Sequence, residues 1–252
     1  MHIRTYLIEK EHGYQEKRVD GRIIAKFYQF TNPTKEVMAI PDACVDIQFV
    51  KEGEHYEPYF CGTFLSSHIS NASEKEETFG IKFEPGVIPA CMGLSPGELI
   101  ERVSPIEKSI AMREFSRILE KEKDFEKRVE IFVSEFSNHD HILAHHETVL
   151  AITQHLMEAR GAIEIKDVAT EMMYSQKYLD RVFHVAIGIT MKRFATIIKI
   201  QKAVSYLEKG NEEDVYEKLG YYDQSHFIKE FKKYTSLTPA GFRKNMDTLM
   251  IV

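Results

Sequence analysis

Apolar residues recur at helical spacing in two similar stretches in the last third of the chain. In the second stretch, Phe227 and Phe231 lie four residues apart, which is the spacing of one buried helix face. Gly220 is placed to end a short helix ahead of them, because glycine adopts the left-handed conformation at little cost. Asp223 is placed to cap the next helix by accepting from its open N–H groups. The pattern over residues 212–235 therefore predicts a helix-turn-helix unit, a plan that many DNA-binding proteins use.

The same plan occurs earlier in the chain, over residues 163–188. Ser175 is the predicted cap of its second helix, and Phe183 holds the position that Phe231 holds in the later unit. A continuous helical pattern over Thr190–Lys209 joins the two units. The pattern predicts an all-α domain in which one long helix connects two helix-turn-helix units.

The first hundred residues follow a different pattern, with short β-branched and aromatic runs separated by turn residues. In CVDIQFV, Val45, Ile47 and Phe49 alternate with polar residues, as in a half-buried strand. The predicted strands are Arg22–Phe30, Cys44–Val50, Tyr59–Phe64 and Thr78–Phe83. These strands predict a small antiparallel sheet or barrel followed by helices, so the whole chain is predicted to be an α+β protein.

Helical signals follow the predicted strands. Ser95 to Glu98 has the spacing of a capping box with Pro96 at the first helical position, and it predicts a short helix that opens there and runs through Leu99–Arg102. Residues 108–140 are charged and helical, and the polar stretch 137–147 is the predicted linker. An apolar stripe in this segment fits either packing inside the domain or pairing of two subunits, and comprises Phe125, Val129, Phe132 and Phe136.

Residues 146–247 resemble the DNA-binding domain of the AraC/XylS family of bacterial transcription regulators. The resemblance rests on Ala169, Ser175, Tyr178, Leu179, Arg181, Phe183, Gly188 and Ala203 in the first half, and on Gly220, Tyr221, Asp223, Ser225, Phe227, Phe231, Lys232, Lys233, Thr238, Pro239 and Arg243 in the second. Met173 and Ser236 stand where the family commonly has glycine, and Tyr216 where it usually has alanine. The segments Pro41–Phe49, Gly80–Gly86 and Gly93–Ile106 resemble the reduced cupin-like sensory domain of one branch of these regulators.

The resemblance implies a division of the chain and a function. Residues 1–107 would form a sensory or oligomerisation domain, 108–140 a helical segment and linker, and 141–252 the DNA-binding domain. The chain would be a sequence-specific transcription regulator gated by a signal at its N-terminal domain. The implied partners are promoter DNA, a small-molecule effector, RNA polymerase and a second copy of the chain. The alternative is a ligand-binding or protein-interaction module with a vestigial DNA domain.

The outward faces of the two recognition helices supply the candidate base contacts. Arginine and lysine donate to guanine, glutamine pairs with adenine, and aspartate accepts from cytosine. The candidates are Gln176, Lys177, Asp180 and Arg181 in the first helix and Gln224, Ser225, His226 and Lys229 in the second. Candidate phosphate contacts, which position a protein on DNA without reading sequence, are Lys192, Arg193, Lys232 and Arg243.

Composition places few further limits on function. The net charge is −6, but residues 146–247 hold 15 Lys and Arg against 14 Asp and Glu, so the acidity lies outside the predicted DNA-binding domain. No apolar run approaches membrane-span length, and the first residues lack the apolar core of a secretion signal. These features predict a cytoplasmic protein.

Other candidate sites are weaker. Cys44, Cys61 and Cys91 fit either small buried residues or a thiolate sensor. The histidines His139, His141, His145 and His146 fit either a solvated linker or a partial metal site, with no third ligand evident. An aromatic set fits either a sheet core or an apolar ligand pocket, and comprises Phe27, Phe30, Phe49, Phe60, Phe64 and Phe83. The sequence offers no phosphate loop, metal set or nucleophile with its base, so we expect no enzymatic activity, no metal and no cofactor.

Overall fold

A computed structural model describes residues 13–19, 23–33, 36–70, 76–136, 146–210, 215–246 and 249–251. Strands in these ranges are β1 (Tyr14–Lys17), β2 (Ile24–Thr31), β3 (Glu36–Ala39), β4 (Asp46–Glu52), β5 (His55–Cys61), β6 (His68–Ser70), β7 (Glu77–Phe83), β8 (Val103–Pro105) and β9 (Leu249–Ile251). Helices are α1 (Ile110–Lys121), α2 (Phe125–Ile131), α3 (His146–Glu158), α4 (Ile165–Glu171), α5 (Gln176–Ile187), α6 (Met191–Glu208), α7 (Val215–Lys218), α8 (Gln224–Thr235) and α9 (Pro239–Asn245). The predicted α+β class, an N-terminal antiparallel sheet followed by a helical C-terminal part, is confirmed.

The N-terminal part is built on a six-stranded antiparallel sheet in the order β1-β2-β7-β4-β5-β8. The predicted strand over Tyr59–Phe64 was placed too late, because the chain turns at Gly53 and β5 already begins at His55. A second sheet has the order β6-β3-β9, and β9 pairs with β3 in parallel. Its strands were not predicted, since each has only three or four residues.

One face of the six-stranded sheet is apolar and is covered by helices. Phe49 and Phe79 lie 5.1 and 5.7 Å, ring centroid to centroid, from Phe115 of α1, and Phe27 lies 5.6 Å from Phe132. Aromatic pairs at these separations add attraction to the area that they bury. This aromatic layer is the core of the N-terminal domain.

The hypothesis of a ligand pocket lined by six phenylalanines is wrong. Phe27, Phe49, Phe60 and Phe83 are packed inside this core, each with at most 3% of its surface exposed. Phe30 lies on the opposite face of the sheet with Tyr28, and Phe64 stacks on His68. The six rings are therefore split among separate places, and most of them fill space that a ligand would need.

The apolar stripe of residues 125–136 does not form a subunit interface. Phe125, Val129, Phe132 and Phe136 are each at most 7% exposed and belong to the same core as the sheet. The last five residues, Phe132–Phe136, form a π-helical turn that continues α2. Packing within the domain is thus the correct one of the two readings of this stripe.

The predicted capping box of Ser95 and Glu98, with Pro96 at the first helical position, is confirmed, but the helix ends at Leu99 and does not continue to Arg102. Residues Pro96–Leu99 form a short 3-10 turn, and Glu98 accepts from both the N–H and the hydroxyl of Ser95. Ile100 is already extended and Glu101 has a φ of +51°, so the chain leaves the turn and enters β8. Burial of Leu99, which is 1% exposed, fixes the turn against the sheet domain.

The other face of the six-stranded sheet carries a buried polar cluster. The ammonium of Lys82 lies 2.5 Å from a carboxylate oxygen of Asp42 and 4.0 Å from one of Asp46. The Tyr28 hydroxyl donates to Asp46 at 2.7 Å. Lys26, opposite Lys82 in the strand register, is 2% exposed, and burial lowers its pKa to about 8. Buried charges persist where they are paired and hydrogen-bonded, as these are.

In the part of the chain that the structure describes, no helix is both long and apolar enough to cross a membrane.

Glu208, the last residue of α6, gives the protein a pH-dependent stability. Burial raises its pKa from the ordinary value of 4.5 to about 7, and one carboxyl oxygen is buried without a partner among the described residues. Because the folded protein holds this proton more tightly than the unfolded chain, Glu208 stabilises the fold below about pH 4.5, and this contribution is lost as the pH rises to about 7.

Replacing Glu208 with Gln is expected to raise the free energy of unfolding by about 1 kcal/mol at pH 8 and by little at pH 5. The expected gain is smaller than the full pKa shift of Glu208 would give, because water partly screens the carboxyl charge. Urea unfolding of both proteins at the two pH values measures the difference. The exposed Glu114→Gln on α1 is the control, and an equal gain from Glu208→Gln at both pH values would contradict the assignment.

Candidate nucleic-acid interface

The first helix-turn-helix unit consists of α4, a turn and α5. The predicted cap is confirmed, since the Ser175 hydroxyl accepts from the N–H of Tyr178 at 3.2 Å. The apolar stripe of α5 is buried, and its central Phe183 is 0% exposed. Gly188 ends the helix in the left-handed conformation, with a φ of +83°. These local signals fix which side of α5 faces the core and which side remains free.

The free side of α5 carries the predicted base-contacting residues. Gln176, Lys177 and Arg181 are exposed, and Asp180 is half-buried beside them. The Arg181 guanidinium lies over the Tyr178 ring, 5.8 Å from its centroid. Stacking on an aromatic ring restricts a guanidinium while leaving its N–H groups able to donate. The structure therefore places the four residues on one accessible surface at the start of the helix.

The second unit, α7, a turn and α8, is built in the same way. Gly220 has a φ of +68°, as predicted from its place in the turn. Asp223 caps α8 by accepting from the N–H of His226 at 2.7 Å. Phe231 is fully buried and contacts Phe242 of α9, at a ring distance of 5.5 Å. The predicted contact residues at the start of α8 are all exposed: Gln224, Ser225, His226 and Lys229.

Helix α6 holds the two units together. Phe194 near its start lies 5.3 Å from Phe183 of the first unit, ring to ring. Five residues further along, the ammonium of Lys199 approaches Tyr221 of the second unit and lies 5.0 Å from its ring centroid. One rigid helix thus positions both recognition helices, as the sequence pattern predicts.

The four candidate phosphate contacts differ in accessibility. Lys192, Lys232 and Arg243 are exposed, on α6, α8 and α9 respectively. Arg193 is half-buried, and its guanidinium donates to the hydroxyl of Tyr234 on α8. Its main visible role is therefore to tie α6 to the second unit, whereas the other three side chains lie on the surface.

Sequence reasoning missed the turn residues that precede the recognition helices. Tyr222 is 95% exposed immediately before the cap Asp223, and Met173 is 90% exposed in the turn of the first unit. Tyr174, also exposed, stacks on Tyr178 at 5.0 Å. A contiguous group of exposed apolar side chains can mark a contact site, whereas a single one is ordinary. Their position directly before the two caps was the signal that could have identified them.

Met173 and Ser236 stand where a glycine would be expected, and the backbone explains why. Their φ values are +56° and +63°, in the left-handed region that glycine enters without strain. The chain therefore keeps the left-handed backbone conformation at both positions without the glycine that adopts it most easily.

The alternative sites in the sequence receive little support. Burial raises the pKa of all three cysteine thiols: well above the usual range for Cys44, upward for Cys61, and to about 11 for Cys91. A raised pKa disfavours the reactive thiolate form. His139, His141 and His145 lie outside the described residues, and His146 is described only as the first residue of α3.

Two family profiles match the chain. Residues 168–245 match a helix-turn-helix domain, and residues 22–105 match a domain of unknown function, DUF6597. The first match covers both recognition helices and α6. The second covers most of the sheet domain.

Curated relatives are regulators. An uncharacterised HTH-type transcriptional regulator of Bacillus subtilis, YtdP, is 26% identical over 105 residues, which are 41% of this chain and 13% of the relative. An uncharacterised HTH-type transcriptional regulator of Haemophilus influenzae is 30% identical over 95 residues, 36% of this chain and 32% of the relative. The matched stretches thus span a third or less of these relatives.

Two solved structures illustrate the structural similarity. The C-terminal domain of AraT, a response regulator from Geobacillus stearothermophilus, has 25% identity and a TM-score of 0.36, covering 39% of this chain and 84% of that one. ToxT from Vibrio cholerae has 10% identity and a TM-score of 0.46, covering 92% of this chain and 98% of that one.

Proposed function

We propose that this chain, a DNA-binding transcription regulator whose C-terminal helix-turn-helix domain is of the AraC type, reads an asymmetric promoter site with both recognition helices of one molecule. The observation that carries the proposal is the pair of capped recognition helices on α6, each with its first turns exposed. The proposal divides the chain into a sheet region over residues 1–107, a helical segment and linker over 108–140 whose α1 and α2 complete the core of the sheet domain, and a DNA-binding domain over 141–252.

The two helices suit successive major-groove faces of one duplex. Recognition helices enter the groove by their N-terminal residues, and successive faces are about 34 Å apart along B-DNA. In this proposal Arg181 and Lys229 would donate to guanine, Gln176 and Gln224 would pair with adenine, and Asp180 would accept from cytosine. Because the two faces differ in residue type, one molecule would read two unlike half-sites.

The sheet domain would receive the signal that adjusts DNA binding. Its buried cluster of lysine and carboxylate groups would respond to a charged effector or to a change of packing, because buried charges are stable only while they are paired. We assign to the protein a small-molecule effector, RNA polymerase and a second copy of the chain as candidate partners, and no enzymatic step.

Selection of a randomised duplex pool by the full-length protein at two salt concentrations tests the proposal. We expect enrichment of an asymmetric motif whose two boxes are centred about 10 base pairs apart. Affinity for that motif should fall with salt while its preference over random duplex persists. Binding without any enrichment, or no binding, would overturn sequence-specific reading and favour a module whose DNA domain is vestigial.

A further inference from the structure

Residues 36–44 belong to the sheet domain by sequence but are embedded in the DNA-binding domain. This stretch runs through β3 and the loop that leads into β4. Met38, Ile40 and Ala43 are 4%, 5% and 2% exposed and lie in the hydrophobic core that α3, α5, α6 and α8 form. The DNA-binding domain therefore needs these residues to complete its core.

Two sets of hydrogen bonds attach the same residues to the C-terminal domain. The side-chain amide of Gln201, which is 5% exposed in α6, donates to the carbonyl of Pro41 at 2.8 Å and points to that of Ile40 at 3.5 Å. In addition, β9 pairs in parallel with β3, with Val37 opposite Met250. One attachment is to the helix that holds both recognition helices, and the other follows α9.

The opposite attachment is to the buried polar cluster of the sheet domain. Asp42 pairs with Lys82 of β7 at 2.5 Å and accepts from the N–H of Cys44 at 2.9 Å. Val37 packs against Tyr28, whose hydroxyl donates to Asp46. The ion pair with Lys82 and the hydrogen bond from Gln201 are therefore made to consecutive residues, Asp42 and Pro41.

Further contacts between the domains are made at the C-terminal ends of the recognition helices and leave their N-terminal ends accessible. At Gly188, which follows α5, an added Cβ would lie 2.8 Å from the carbonyl of Pro96. At the end of α8, the carbonyl of Tyr234 accepts from the N–H of Ser67 at 2.7 Å. The first residues of both helices remain exposed, so the docked arrangement is compatible with DNA binding.

We infer that residues 36–44 are a coupling segment, through which the state of the Lys82–Asp42 pair sets the position of α6 and so the geometry of the two recognition helices. The inference rests on the proposed reading of DNA by both helices. Docking of the sheet domain on the DNA-binding domain pre-organises the two recognition helices for their DNA site. Loosening the coupling segment then lowers the affinity for that specific site. Asp42 and Gln201 are positioning residues, since neither lies on the reading surface.

The test uses Asp42→Asn and Gln201→Leu, which keep the size of each side chain and remove the ion pair or the amide donor. Each change in the full-length protein is expected to weaken binding to the selected duplex about tenfold, within the usual range of coupling between sites. The double variant should bind more tightly than the product of the two effects predicts, because both act on one segment. Hydrogen exchange should speed up at the amides of α6 in each single variant.

Lys51→Met is the matched control, because it breaks an ion pair with Glu76 on the exposed part of the same sheet domain. It should change neither DNA affinity nor exchange in α6. Thermal unfolding checks that each variant is folded. If Asp42→Asn does not fold, the binding and exchange measurements on Gln201→Leu still test the inference. Unchanged affinity in the folded variants, or tighter binding, would overturn the inference. If the wild-type protein selects no DNA motif, the proposed function fails. If hydrogen exchange in α6 is unchanged by Asp42→Asn, the coupling fails independently of that result.

Discussion

Replacement of Arg128 by Met should cost about 3–5 kcal/mol of stability, the usual effect of removing one partner from a buried ion pair. Arg128, in α2, is 0% exposed beneath the sheet domain. A methionine there would fill much of the space but satisfy none of the polar groups around it. Urea unfolding followed by circular dichroism measures the loss.

The size of the effect follows from the number of groups that the guanidinium satisfies. It donates to the side chains of Gln29 at 2.6 Å and Tyr56 at 3.2 Å, and it forms an ion pair with Glu77. It also donates to the backbone carbonyls of Leu119 at 2.9 Å and Glu122 at 2.7 Å, at the end of α1. Without Arg128 each of these acceptors would lose a charged donor. Glu77 would still accept from the Tyr56 hydroxyl, and the Leu119 carbonyl from Lys123, but each buried group left without a donor is costly.

Two further variants identify the cause. The exposed Arg113→Met on α1 removes the same charge and should change stability by about 0.5 kcal/mol or less. Adding Glu77→Gln to Arg128→Met should recover part of the loss, because it removes the buried carboxylate left without its partner. A loss below about 1 kcal/mol for Arg128→Met alone would mean that water replaces the guanidinium and that the network is not structural.

Arg128 also marks the limit of what the sequence could predict about the sheet domain. Its neighbours Phe125 and Val129 gave a correct helix, but the same stripe was compatible both with packing inside the domain and with a subunit interface. The choice depends on strands that lie about a hundred residues earlier in the chain, among them that of Gln29. Helical periodicity reports which side of a helix is apolar, and says nothing about which partner covers it.

The DNA-binding domain was more predictable because its signals are local. Ser175, Asp223 and Thr238 each accept from an N–H three residues ahead, so a few adjacent residues determine where each helix begins. By contrast, Gln201 looks like an ordinary polar residue of α6, and only the approach of Pro41 makes it a link between domains. The same holds for β9, whose partner strand lies more than two hundred residues away.

The candidate interface could be predicted from the sequence only in part. The exposed set on α5 and α8 follows from subtracting the buried stripe, and its individual base contacts remain predictions. Tyr222 and Met173 were missed because they lie outside the periodic part of each unit. Their exposure places them at the entrance of the two recognition helices, where they extend the surface that DNA would meet.

Replacing Arg181 and Lys229 with Ala should have the largest effect on DNA binding. Each change is expected to weaken binding to the selected duplex by about 1–3 kcal/mol, the usual loss for a residue that reads a base edge. Because the two residues lie on different recognition helices, their effects should add in the double variant. Each single variant should also relax base preference in one box only, and the two boxes should be different. Titration of the selected duplex and of duplexes with single base changes measures both results.

Arg117→Ala on α1 removes the same charge from an exposed position in the sheet domain and is the matched control. It separates the loss of a specific donor from the small change in net charge, which acts alike on all duplexes. If Arg181→Ala and Lys229→Ala lower affinity equally for every duplex, they contact phosphates and the boxes are read by other residues. If neither changes affinity or base preference, the two helices do not form the reading surface, because an exposed donor that touches no DNA has no means of distinguishing one base from another.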